Sequence, residues 1–139
     1  MNSDELGRFV EAQNPVYAQV CAELAAGAKR SHWMWFVFPQ LRGLGHSAMA
    51  VHYGLASAAE ARAYWRHPLL GQRLKECTQL VLAVQNKSAL EIFGQPDDMK
   101  FRSCMTLFAH CAAGEPVFPE ALARYCAGRR DERTLALLS

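Results

Sequence analysis

The sequence predicts an all-α fold: a single compact domain, residues 1–139, of seven to nine short helices in an irregular, orthogonal arrangement. Three observations point there. Apolar residues recur at helical spacing, most clearly at Leu70, Leu74, Cys77, Val81 and Val84. Cap residues and Gly or Pro stops bound one short segment after another. No segment finds a partner strand, and these boundaries make roughly 70% of the chain helical, about twice the usual share. The segments are too short and unequal for a regular four-helix bundle. No repeat, linker or low-complexity stretch divides the chain.

In chain order, Ser3 can cap a first helix with Asp4 and Glu5 in its opening turn and Phe9, Val10 and Ala12 on its apolar face. Asn14-Pro15 is a start signal, followed by Val16, Val20, Cys21 and Leu24 until Gly27 stops the helix. Ser31 can cap the next segment, where Trp33, Met34, Trp35, Phe36, Val37 and Phe38 are all large and show no clean period. A short helix of about two turns, ended by Pro39, fits best there. Gly43, Gly45 and Gly54 make the following stretch loop-like, with one helical turn from Ser47 to Tyr53. Ser57 and Glu60 form a capping box for a helix that Pro68 ends. Leu69 to Gln85 is the clearest amphipathic helix, closed by Asn86-Lys87. Ser88 caps a short turn to Phe93, stopped by Gly94. Pro96 and Asp97-Asp98 start a helix to Ala113, which Gly114 and Pro116 end. Pro119-Glu120 opens another to Ala127, stopped by Gly128, and Asp131 caps the last.

Composition narrows the function classes. The formal charge is only +2. Phosphate-backbone binding needs clustered Lys and Arg, and Arg129-Arg130 is answered at once by Asp131 and Glu132, so no nucleic-acid partner is expected. No apolar run approaches the roughly 18 residues of a membrane span, so no membrane partner is expected. The N-terminus lacks a signal-peptide layout. Cys21, Cys77, Cys104, Cys111 and Cys126 include no Cys-x-x-Cys and are odd in number. They read as reduced core residues of a cytoplasmic protein, although Cys104 and Cys111 fall on one face of a helix as a redox pair would. No metal site and no cofactor are expected.

Two stretches carry candidate chemistry. The block from Trp33 to Pro39 reads first as a buried helix. Yet it runs into glycine-rich backbone and is crowded by His32, Gln40, His46, Ser47, His52 and Tyr53. An apolar wall with a few placed polar groups is the usual form of a small-molecule site. Gly43 to Gly45 is no dinucleotide fingerprint, since it lacks the preceding strand, the third glycine and the acidic residue. A phosphate over the Gly45–Ser47 turn remains chemically sensible. In the second stretch, DDMKFRSCMTLFAHC, a helix sets Lys100, Ser103, Thr106 or Leu107, and His110 along one side. Phe101, Met105, Phe108 and Ala112 take the other side as core. A lysine one turn from a hydroxyl can activate it, which makes Lys100 and Ser103 candidate catalytic residues. A solvated polar face is the ordinary alternative. Lys100 and Arg102 could also neutralise an anionic ligand.

The motifs GxKxSHWMWFxFPQLxGLGxSxMAxxYxL, EAxAYxxHPxLGxRL, FGxxDxxKFxSCMTLF and DxxTLxLL resemble those of DUF1810. This is a bacterial family of small proteins labelled a domain of unknown function and sometimes mislabelled calpastatin. The resemblance covers nearly the whole chain, departing at Arg30 and in the final short tail. It implies an all-helical fold, loosely armadillo-like, and brings no established activity. A looser likeness is to proteins proposed to act on ADP-ribose derivatives, which also combine aromatic-rich helices, a Lys-Phe element and a C-terminal element of Asp and Leu.

The leading expectation is a protein that binds a small anionic or nucleotide-like ligand in an aromatic and polar cleft between residues 32–53 and the Lys100–Ser103 turn. His32, Trp33, Trp35, Gln40, Gly45, Ser47, Tyr53, Lys100 and Arg102 would make the ligand contacts. A hydrolase acting on an N-glycosidic or ester link, for example in an ADP-ribose derivative, is the second class. A protein–protein interaction module is the third. A closed pocket joining Trp35, Gln40, Tyr53 and Lys100 favours a ligand, whereas a long shallow groove favours a partner chain.

Overall fold

The computed structural model describes residues 3–138. The expected Ser3 cap and its neighbour Asp4 concern side chains outside the described ones. The chain forms α1 (Ser3–Gln13), α2 (Tyr17–Ala25), α3 (Met34–Val37), α4 (Ala48–Tyr53) and α5 (Ala58–Arg66). It continues through α6 (Leu70–Ala83), α7 (Ala89–Phe93), α8 (Asp97–Cys111), α9 (Val117–Tyr125) and α10 (Glu132–Leu138). The fold is all-α. The ten helices among the described residues exceed the expected seven to nine because both one-turn candidates, α4 and α7, are helical. One isolated bridge, Leu41 to Leu55, ties the ends of the glycine-rich loop. No described helix is long and apolar enough to cross a membrane.

The caps explain most boundaries. Ser47 accepts from the Ala50 N–H, Ser57 from Glu60 and Ser88 from Glu91. Only Ser88–Glu91 is a reciprocal box; Glu60 accepts instead from the Ala56 N–H at 2.8 Å. Three expected starts shift. Helix α2 begins at Tyr17, because α1 runs to Gln13 and Asn14 still bonds back to the Val10 carbonyl. Helix α3 has a single turn, and Ser31 does not cap it: its hydroxyl donates to Glu23 at 2.5 Å. Helix α9 begins at Val117, with Pro119 in its first turn, where a missing N–H is harmless.

Helix α8 lies at the centre, packed against α5, α7, α9 and α10. Its expected polar side is largely covered: Ser103, Thr106 and Leu107 are all buried. Helix α10 supplies the cover. Thr106 Oγ1 accepts from the Asp131 N–H at 2.9 Å, and Ser103 Oγ donates to Asp131 Oδ2 at 3.1 Å. On the opposite side Phe101 stacks on Phe93, with ring centroids 4.7 Å apart, and Phe108 meets Phe118 and Tyr64. Helix α6 buries Leu70, Leu74, Cys77 and Val81 as its period required. Gly71 of α6 lies where a Cβ would be 2.0 Å from the Trp65 carbonyl oxygen, so α5 and α6 meet through bare backbone. All five cysteines are free; Cys77, Cys104 and Cys111 are buried, and Cys21 and Cys126 half-buried.

Candidate functional site

The cleft is assembled from α3, the loop after it, α4, α8 and the start of α10. Gln13 of α1 donates to the Phe36 carbonyl at 2.7 Å and fixes how α3 is rotated. Met34, Phe36 and Val37 turn inward, and Trp35 is left half-buried on the outer side. The loop returns to the same place because Arg42 N–H donates to the Leu55 carbonyl at 2.8 Å and Leu55 N–H to the Gln40 carbonyl at 3.0 Å. Arg42 and Arg8 then both donate to the Gly54 carbonyl, at 3.1 and 3.2 Å.

Between these elements lies an open cleft of about 340 Å³. Trp35, Gln40, Gly45 and Ser47 form one side, and Met99, Lys100 and Ser103 of α8 the other. Asp131 and Arg133 close the end nearest α10. A narrow inner extension of about 10 Å³, enough for one water, reaches Phe38, Tyr53 and Gly54. The Lys100 ammonium stands 4.7 Å from the centre of the Trp35 ring, in cation–π range. It is also 3.4 Å from Asp97 Oδ1. Asp97 Oδ2 in turn holds Lys29 at 2.8 Å, and Lys29 stands 5.1 Å over the Trp33 ring.

A second, shallower groove of about 600 Å³ adjoins the cleft. The two share Met99, Asp131 and Arg133. Arg102, Arg129 and Arg130 complete its basic lining, beside Asp131 and Glu132. The Arg129-Arg130 pair is therefore part of a larger cluster in space than it was along the chain.

The structure brings together Trp35, Gln40, Gly45, Ser47, Tyr53, Lys100 and Ser103. It separates three expected residues from them. Trp33 is a core residue, 1% exposed, whose indole donates to Glu23 Oε1 at 3.0 Å. Glu23 also accepts from the N–H groups of Arg30 and Ser31, the Ser31 hydroxyl and Gln19. Burial pushes its carboxyl up, but these bonds, led by Ser31, outweigh that and bring it down to about 2. His32 is exposed outside the cleft lining. Arg102 faces the second groove. Nor do Lys100 and Ser103 form an activating pair. Ser103 Oγ sits 3.1 Å from Asp131 Oδ2 and 3.2 Å from the Met99 carbonyl, and Lys100 is engaged with Asp97 and Trp35. No hydrogen bond joins the two among the described residues.

Met99, Asp131 and Arg133 are among the lining residues that the sequence did not announce as such. Asp131 reads correctly as a helix cap, accepting from the Thr134 N–H at 3.0 Å. Its reach to Ser103, 28 residues away, leaves no periodic trace. Among the described residues, no three His, Cys, Asp or Glu side chains gather as a metal site requires.

Comparison with known proteins adds the following. Residues 3–138 match the family described as "Protein of unknown function (DUF1810)". The crystal structure of the conserved hypothetical protein Rv1873 from Mycobacterium tuberculosis is 58% identical, with a TM-score of 0.96. The alignment covers 99% of this chain and 98% of that one. No curated protein matches.

Proposed function

The chain belongs to the DUF1810 family of proteins of unknown function, and we propose that it binds a small anionic molecule bearing a flat ring. The cleft between α3 and α8 is the site. The observation that carries this reading is the Lys100 ammonium poised 4.7 Å over a half-buried Trp35. A ring can stack on the indole, and an anion can take the ammonium as its counter-ion. Gln40 supplies an amide for orientation, and Gly45 keeps the rim low. A Cβ on Gly45 would come within 2.9 Å of Ala50 Cβ and 3.6 Å of the Gln40 amide. The cleft volume of about 340 Å³ falls at the small end of ligand sites. Hydrolysis by Lys100 and Ser103 is the weaker alternative, because the hydroxyl is turned toward a carboxylate and a carbonyl and away from the amine. The unpaired cysteines agree with work in the reducing cytoplasm.

A thermal-shift screen with nucleotides and phosphorylated metabolites tests the reading. At least one class should raise the melting temperature of wild type. Lys100→Ala and Trp35→Ala should each remove most of that shift. A compound that stabilises wild type and both variants equally binds elsewhere and refutes the assignment.

A further inference from the structure

The arginine-lined groove beside the cleft has its own chemistry. Four arginines line it from three parts of the chain: Arg102 from α8, Arg129 and Arg130 from the link after α9, and Arg133 from α10. Two successive residues with positive φ, Ala127 at 53° and Gly128 at 74°, end α9 abruptly and set Arg129-Arg130 in that link. The opposing carboxylates are Asp131 and Glu132. Four arginines against these two carboxylates leave the groove with a cationic excess, and Asp131 directs its Oδ2 to Ser103 and Thr134. Among the described residues, none of the four arginines forms an ion pair. Arg133 donates to the Leu44 carbonyl at 3.2 Å, across the mouth of the cleft. Arg102 has its Nε buried without a hydrogen-bond partner. Asp98 Oδ1, one turn earlier, is also without one, so the two groups do not satisfy each other. That Nε is closed off from solvent, so the arginines that an acceptor from outside can reach directly are the exposed Arg129, Arg130 and Arg133.

Because Met99, Asp131 and Arg133 border both spaces, the groove continues the cleft. Resting on the reading that a ring sits against Trp35, we infer that the groove seats a chain of phosphates, and that the ligand is a nucleoside di- or triphosphate. Guanidinium forks match phosphate oxygens two at a time, which a lysine cannot do. Arg133 is the joint, lining the end of the ring site and the start of the phosphate site. The ring and the charge are therefore recognised by different residues, which makes the two parts separable by mutation.

Calorimetric titration at about 0.15 M salt, near the physiological screening length, separates them. The probes are the four common ribonucleosides, their triphosphates, inorganic tripolyphosphate and a single-stranded oligonucleotide. The proteins are wild type, Arg129→Ala/Arg130→Ala and Trp35→Leu. Both arginines are exposed, so the double variant keeps its core. Wild type should bind one triphosphate at least about tenfold more tightly than its nucleoside, as charge-assisted bonds to phosphate require. The double variant should lose that advantage and leave nucleoside affinity unchanged. Tripolyphosphate should bind wild type and Trp35→Leu alike, and bind the double variant about tenfold more weakly. The inference is overturned if the double variant holds triphosphate as wild type does, or if neither triphosphate nor tripolyphosphate binds wild type. It is also overturned if a single-stranded oligonucleotide binds more tightly than every triphosphate, which would make the groove a nucleic-acid track. The ring site fails separately if Trp35→Leu retains full nucleoside affinity; the tripolyphosphate result then still decides the groove.

Discussion

Two tryptophans two residues apart have opposite fates, and the difference lies in their partners. On one helical turn, residues i and i+2 point to nearly opposite sides, so Trp33 and Trp35 cannot both face the cleft. Which one turns inward is settled by Glu23, which binds the Trp33 indole, and by Gln13, which holds the Phe36 carbonyl. Neither contact has a periodic signature, which is why both tryptophans read as candidates in the sequence. Glu23 itself is a stability determinant. Removing its carboxylate in Glu23→Ala strands the Trp33 indole and two backbone N–H groups, and should cost at least about 2 kcal/mol in urea unfolding at pH 7. Its carboxyl lies near 2 in the fold and near 4.5 when free. The contribution is thus complete above about pH 4.5 and disappears as the pH falls from there toward 2. Urea midpoints measured over that interval should fall more steeply for wild type than for Glu23→Gln.

Among the elements, those bounded by local chemistry were legible, and those bounded by tertiary contacts were not. The Ser57, Ser88 and Asp131 caps lie where the sequence put them, because a cap is satisfied within a few residues. The start of α2 and the length of α3 were misjudged, because a buried Gln13 and the Glu23 network override local signals. The polar side of α8 was misread as solvated for a similar reason. Its hydroxyls are matched by Asp131, the residue that precedes α10, a contact no local pattern reveals. Gly71 stands in the first turn of α6, and a glycine within a helix usually gains stability on becoming alanine. Its contact with α5 reverses the sign. A methyl group 2.0 Å from the Trp65 carbonyl oxygen must push α5 and α6 apart. Gly71→Ala should therefore destabilise by about 2 kcal/mol or more, as overpacking does, and denaturant titration will show it. A stability equal to or above wild type would mean that the two helices slide apart without loss.

At the scale of the molecule, α8 serves the core and the site at once. Phe101, Met105 and Phe108 are buried in the core, and Met99, Lys100 and Ser103 border the cleft. With one helix common to both, loss of the core and loss of the site should coincide. Thermal unfolding followed by tryptophan fluorescence and by far-ultraviolet circular dichroism should give one shared midpoint. Separate midpoints would show that the cleft melts on its own. The halves of the chain also meet at Asp97, where Lys29 and Lys100 attend one carboxylate from opposite sides. An acid group with two attendants can spare one. On the proposed reading, an incoming anion can draw Lys100 toward itself while Lys29 keeps Asp97 neutralised, so the ammonium can change allegiance without leaving a bare charge behind.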